Sequence, residues 1–184
     1  MRRARRLTVD QLHTYVDKLE ESARFGIKTT DLKLINAAIT ALSHALTVRF
    51  GSALEPYERR VRCLLSEYHE YFGRYGDADA VLAPYVDAFS RDQTTGELAH
   101  PRLCLWLANV FFRRRQFDDA EQLMMRSIHL YEDQGDRYGA AFAKLFASRV
   151  MARQQPARVV HALLRDSYAG FDEALGTASH YRKG

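Results

Sequence analysis

Seven histidines and two cysteines are the residues with chemistry to offer, and their spacing assembles no site. His13, His44, His69, His100, His129, His161 and His180 are scattered along 184 residues, with no HExxH and no second ligand at metal-binding spacing. His69–Glu70 is a fragment of that zinc pattern without its second histidine, and it is expected at the surface. Cys63 and Cys104 stand alone on apolar helix faces, which reads as two free buried thiols in a reducing compartment. A glycine-rich phosphate loop and a GxSxG elbow are both missing. The acidic pair Asp118–Asp119 opens a helix, where the positive end of the dipole accounts for it. The residues point away from catalysis, and neither metal nor cofactor is expected.

The remaining chemistry is cationic. The formal net charge is +4, and Arg2, Arg3, Arg5 and Arg6 supply that much alone, so the chain from Leu7 onward is formally neutral. That arm reads first as a solvated tail and second as a nucleic-acid or membrane contact. Glu21 to Ile39, ESARFGIKTTDLKLINAAI, has the outline of a helix-turn-helix, with small Ser22, Gly26 at the turn, and Leu32 and Ile35 behind it. Glu21 sits where such a motif wants an apolar residue, and the second helix continues apolar to Phe50. These features define the alternative reading, a nucleic-acid-associated regulator with a ligand-sensing array.

Apolar content of 47% with 27% charged residues is that of a folded globular chain. No run approaches the ~18 apolar residues of a membrane span. Polar LTVDQLHTYVDK follows the basic start, where a signal peptide would carry its apolar core. A cytoplasmic protein with no membrane partner is expected.

The elements that must position these groups read as about eight helices. Thr8 and Gln11 form a capping box for the first, with Leu12, Tyr15, Val16 and Leu19 at helical spacing and Gly26 as its stop. The second follows Thr29–Thr30 and carries Leu32, Ile35, Ile39, Leu42, Ala45 and Leu46 on one stripe. The third spans about Glu55–Gly73. The fourth follows Gly76–Asp77, and Pro84 is expected to kink or split it. After the polar loop RDQTTGE, Pro101 opens the fifth helix and Asp118 the sixth, which ends at Asp133–Gly135. The seventh fills Tyr138–Arg153, and Pro156 opens the eighth, with a short end from Leu175. No stretch alternates with the two-residue period of a strand. The fold class is all-α.

Leu107 to Tyr131, LANVFFRRRQFDDAEQLMMRSIHLY, is the stretch that repeats. A shift of 40 residues pairs Trp106 with Phe146, Ala108 with Ser148, Phe111 with Met151, Met124 with Leu164, Ser127 with Ser167 and Tyr131 with Phe171. A shift of 42 the other way pairs Leu65 with Leu107, Ser66 with Ala108, Tyr75 with Phe117, Ala78 with Ala120, Leu82 with Met124 and Phe89 with Tyr131. Residue size matches on both helices at one shift, which argues for repeated hairpins from about Pro56 to Phe171.

This region resembles the tetratricopeptide repeat family, and LYEDQGDRYGAAFA (Leu130–Ala143) is similar to its longer, roughly forty-residue variant. Val160 in the third repeat, and Tyr85 beside Pro84 in the first, depart from the small residues of the pattern. The resemblance implies a right-handed α-solenoid of antiparallel hairpins. It divides the chain into a basic arm (1–7), an N-terminal helical hairpin (8–53) and three repeats with a short end (54–184). It implies a non-enzymatic adaptor, scaffold or regulator that binds a protein or peptide in the groove lined by each repeat's first helix. Carried onto the central repeat, the groove residues are Arg102, Leu105, Asn109, Phe112 and Arg113. On the third they are Phe142, Leu145, Arg149, Ala152 and Arg153, and on the first Arg60, Cys63, Glu67, Glu70 and Tyr71. Arginine forks hold carboxylates bidentately, so the implied ligand is an acidic segment or a terminal carboxylate. Leu105, Phe142 and Phe146 stand where the family's carboxylate clamp has polar or basic residues, so that clamp is incomplete. A terminal repeat without a polar cap also invites a second copy to stack as a homodimer.

Overall fold

A computed structural model describes residues 11, 14–18, 20–21, 32–47, 55–91 and 99–180. Every regular element among them is helical: α1 (helical residues within 11–21), α2 (Leu32–Thr47), α3 (Glu55–Tyr71), α4 (Tyr75–Arg91), α5 (Pro101–Arg113), α6 (Phe117–Asp133), α7 (Arg137–Met151) and α8 (Ala157–His180). No helix among the described residues is long and apolar enough to cross a membrane. The basic arm, the capping box at Thr8 and most of the helix-turn-helix outline, residues 22–31, lie outside the described residues, as does the expected boundary at 53–54.

Local chemistry sets the helix ends. Pro101 occupies the first turn of α5, where its missing N–H costs nothing, and His100 Nδ1 accepts from the Leu103 amide. Asp136 caps α7 by accepting from the Gly139 amide at 2.8 Å. Asp118 and Asp119 fall in the first turn of α6, as the dipole argument expects. The tight turns repeat the same bonds. Gly73 N–H donates to Glu70 O and Arg74 N–H to His69 O; 42 residues on, Arg115 donates to Phe112 O and Gln116 to Phe111 O. The residue that turns the chain has positive φ in each case, 68° at Gly73 and 62° at Arg115, and Gly135 at 69° repeats the geometry after α6.

Three expectations need correction. Of the kink or split expected at Pro84, the split is absent: α4 runs unbroken from Tyr75 to Arg91. Proline removes the bond to the carbonyl four residues back and crowds that turn. One residue past that carbonyl, Ala80 O, Arg62 Nη1 donates to Val81 O at 2.8 Å. The seventh helix is shorter than expected at its end, stopping at Met151. There is also no short end at Leu175, because α8 continues through it to His180.

The chain divides into two compact units, Met1–Ala83 and Pro84–Gly184. In the first, Val16 of α1 and Ala38, Ile39 and Leu42 of α2 close on Tyr57, Val61, Leu64, Leu65 and Tyr68 of α3. Arg60 ties α3 to α1 by ion pairs to Asp17 (2.7 Å) and Glu20 (2.6 Å). In the second, α5 packs on α6, α6 on α7, and α7 on α8. Leu103, Leu107 and Phe111 of α5 meet a core that includes Leu123, Met124 and Ile128 of α6 and Ala143, Ala147 and Val150 of α7. One hydrogen bond recurs at the 40-residue shift: Ser127 Oγ donates to Pro101 O, and Ser167 Oγ to Ala141 O, each at 2.8 Å.

Candidate functional site

Within the second unit, one face of α5 looks toward α7. Arg102, Trp106, Asn109 and Arg113 follow one another on α5 at spacings of four, three and four, so they form a single stripe. Phe142, Phe146 and Arg149 follow at four and three on α7, and Arg153 comes four residues later in the turn after it. Aromatic rings join the two stripes. Trp106 meets Phe146 edge-on at 5.9 Å, and Phe146 tilts against Phe142 at 4.8 Å. The Arg149 guanidinium lies 5.8 Å from the ring centres of both Phe112 and Phe146, within cation–π range. Phe112 in turn meets Phe117 at 5.7 Å. These rings hold Arg149 without neutralising it.

The polar groups on this face are of two kinds. Arg149 and Arg153 are exposed, and neither has a carboxylate partner among the described residues. Asn109 is only 1% exposed, and both its side-chain nitrogen and oxygen lack a hydrogen-bond partner; Trp106 Nε1 is buried and unpartnered as well. A buried amide left unpaired costs about 1–3 kcal/mol, so such groups normally find a partner. Arg102, Phe112 and Arg113 are half-buried and flank it.

Each expected residue thus has a location. Phe112 and Arg149 come together across the two helices, Arg102, Asn109 and Arg113 share the α5 stripe beside them, and Arg153 lies in the turn after α7. Leu105 is fully buried, Phe142 and Leu145 are half-buried, and Ala152 is exposed. The counterparts in the first unit are differently employed: Arg60 is committed to its ion pairs, Cys63 is buried, and Tyr71 is exposed. Arg2, Arg3, Arg5 and Arg6 lie outside the described residues. Trp106 and Phe146 were legible as a 40-residue pair, but not as the supports of Arg149.

The other candidate groups resolve simply. His69 is not at the surface: it is 9% exposed, and desolvation lowers its pKa against the opposing pull of Asp77, 3.9 Å from Nδ1. Both cysteines are free and buried, and burial pushes the Cys104 thiol up to about 12, which keeps it protonated and unreactive. Among the described residues no group of three or more His, Cys, Asp or Glu is placed to hold a metal ion. A second concavity of about 510 Å³ is bordered by α7 and α8, but its charges already satisfy one another: Lys144 pairs with Glu132 at 2.7 Å and Arg137 with Glu173 at 3.3 Å. The α5–α7 face differs in presenting groups that are not satisfied. No family model, curated protein or solved structure matches the chain.

Proposed function

We propose that the chain is a non-enzymatic interaction module of tetratricopeptide type, an adaptor or regulator whose α5–α7 face holds an extended acidic segment of a partner protein. The observation that carries this reading is the unpaired, buried amide of Asn109, close to aromatic rings that support the exposed Arg149. An asparagine amide offers one donor side and one acceptor side, which match the C=O and N–H of a peptide backbone. The recurrent Ser127 and Ser167 bonds, and the turns repeated at 42 residues, support the repeat architecture.

The exposed cations narrow the ligand. Arg149 lies in the last turn of α7 and Arg153 in the turn that follows it, both exposed. In an extended strand, side chains on one face recur about every 6.6–6.8 Å. Two acidic residues separated by one residue would offer one carboxylate to each guanidinium group from the same face. Charge-assisted hydrogen bonds contribute about 1.5–3 kcal/mol each, and Phe112 and Phe146 limit the entropy Arg149 loses on binding.

The test uses synthetic peptides with a Glu-X-Glu core, and controls in which lysines replace the glutamates or the two glutamates are adjacent. Wild-type chain should prefer the spaced acidic peptide. Arg149→Glu with Arg153→Glu should weaken it roughly a hundredfold or more, because two attractions become repulsions. Asn109→Leu should weaken binding about tenfold while leaving the fold at least as stable, since it removes an unsatisfied buried group. Equal affinity for the spaced, adjacent and lysine peptides, or indifference to the double arginine change, would sink the reading. Displacement by an oligonucleotide, with steep loss of affinity in salt, would move attention to the basic arm.

A further inference from the structure

A second surface, unrelated to the peptide face, lies on α8. The 40-residue shift places α6 and α8 in equivalent positions, yet their burial differs. Ala120, Leu123, Met124, Ser127 and Ile128 of α6 are all buried; their counterparts Val160, Leu163 and Leu164 are half-buried, Ser167 is buried, and Tyr168 stands exposed. Ile128 is 3% exposed and Tyr168 65%. The physical difference is coverage: α6 packs against both α5 and α7, whereas α8 packs against α7.

The uncovered side is ordered. Ala157, His161, Leu164, Tyr168, Phe171 and Leu175 follow at spacings of four, three, four, three and four, the seam of a helix that pairs with another helix. Tyr138 of α7, itself exposed, extends it by an edge contact to Phe171 at 5.3 Å. Three of the six exposed large apolar side chains among the described residues, Tyr138, Tyr168 and Leu175, belong to this patch.

The charges beside the seam identify the occupant. Arg158 and Arg165 lie on one flank in the N-terminal half, and Asp172 lies on the same flank in the C-terminal half. Inverted about Tyr168, His161 falls opposite Leu175, and the nearest residues of like position come within one residue's rise, about 1.5 Å, of level: Arg165 with Asp172 on the flank and Leu164 with Phe171 on the seam. Asp172 has no ion-pair partner among the described residues, and the Arg165 contact to adjacent Asp166, at 3.2 Å and exposed, holds it weakly. An antiparallel pair also sets each helix's positive N-terminal end over its mate's negative C-terminal end. We infer that a second copy of this chain covers α8, the two α8 helices packing antiparallel about a two-fold axis through Tyr168.

The full chain is tested by sedimentation equilibrium, alongside disulfide trapping. Wild type should approach twice the 21.2 kDa of one chain as concentration rises. Arg165→Asp should weaken the dimer roughly tenfold or more by setting like charges together, and adding Asp172→Arg should restore it. Tyr168→Cys, on the axis, should form a disulfide-linked dimer on oxidation, while Leu175→Cys, which faces position 161 of its mate, should not. The native cysteines are buried and give no background. All four positions are exposed, and circular dichroism checks that each variant folds. A chain that stays monomeric at every concentration overturns the proposal, as does a dimer indifferent to Arg165→Asp and unlinked through position 168. Affinity for the acidic peptide, measured on the same variants, should not change.

Discussion

α6 and α8 are two copies of one helix pattern under different loads. Both donate a buried serine hydroxyl to a carbonyl 26 residues earlier, and both set a leucine four residues before that serine, Leu123 and Leu163. In α6 that leucine is fully buried; in α8 it is half-buried. The sequence makes the apolar face, and the neighbours decide how much of it leaves water. A face covered on both sides contributes its full transfer free energy, about 25 cal/mol per Å². A face covered on one side leaves part of that free energy to an association. The difference separates a helix that holds the unit together from one with surface to share.

The sharpest way to break this comparison is to truncate the same position in both. Leu123→Ala should cost about 2–5 kcal/mol, the transfer free energy of the lost atoms plus that of a cavity. Leu163→Ala should cost about 1–2 kcal/mol in the monomer, since less area is lost and the surroundings are open. Denaturant unfolding followed by Trp106 fluorescence reads both. Trp106 is the chain's single tryptophan and sits in the second unit, so the signal reports that unit alone. If Leu163→Ala proves as costly as Leu123→Ala, α8 is covered in solution. A cost that grows with protein concentration would identify the cover as another copy.

A second contrast concerns how closely α8 approaches α7. Gly170 corresponds to Leu130 of α6, a half-buried leucine where α8 has no side chain at all. A Cβ built on Gly170 would lie 2.9 Å from the Ala141 Cβ, too close without movement of one helix. Gly170→Ala should therefore cost about 1–3 kcal/mol, beyond the gain in helix propensity. The substitution should also weaken the neighbouring Ser167 bond, which depends on the same approach. Leu130→Ala, by comparison, should cost under about 2 kcal/mol, as expected for a half-buried side chain. A neutral Gly170→Ala would mean that α8 sits further from α7 than the structure places it.

Much of this was legible in the sequence, and the limits have physical reasons. The all-helical class follows from periodicity, and the 40- and 42-residue shifts follow from the order of small and large side chains. The turn near Arg115–Gln116 could be read from the two amphipathic helices it joins, and Gly135 marks the next because glycine adopts positive φ freely; that Arg115 itself takes positive φ could not be read, since an arginine there carries a cost that local propensity would count against it. Pro84 reads as a kink or a split because proline's penalty is local, whereas the Arg62 bond to Val81 O, one residue past the carbonyl that Pro84 orphans, reaches across 19 residues. Asn109 could be placed on a helix face, but its enclosure depends on α7. Ser127 and Ser167 registered as small residues, because size is visible in sequence and the direction of a hydroxyl is not. That the terminal repeat would leave apolar surface uncovered was legible, but that Tyr168 is the side chain left out was not, since an aromatic at a core position looks buried until the covering helix is sought.

The smallest expected effect is the most direct check on equivalence. Ser127→Ala and Ser167→Ala each remove one hydroxyl donor from a carbonyl near the start of the preceding helix, Pro101 O at the first residue of α5 and Ala141 O at the fifth of α7. Both bonds are 2.8 Å and buried, and the net contribution of such a bond is about 1 kcal/mol. The two losses should therefore agree within about 0.5 kcal/mol, although the helices around them differ widely in burial. The same Trp106 signal measures both, with Ser→Cys as a near-isosteric control that retains a weak donor. Equal losses would show that the hydrogen bond belongs to the repeat and is indifferent to what covers the outer face. A Ser167→Ala loss well below its counterpart would mean that α8 opens locally in the monomer before the rest of the unit unfolds. In that case its pairing with a second copy would have to supply part of the helix's own order, and the Ser167 loss should rise toward the Ser127 value as the dimer is populated.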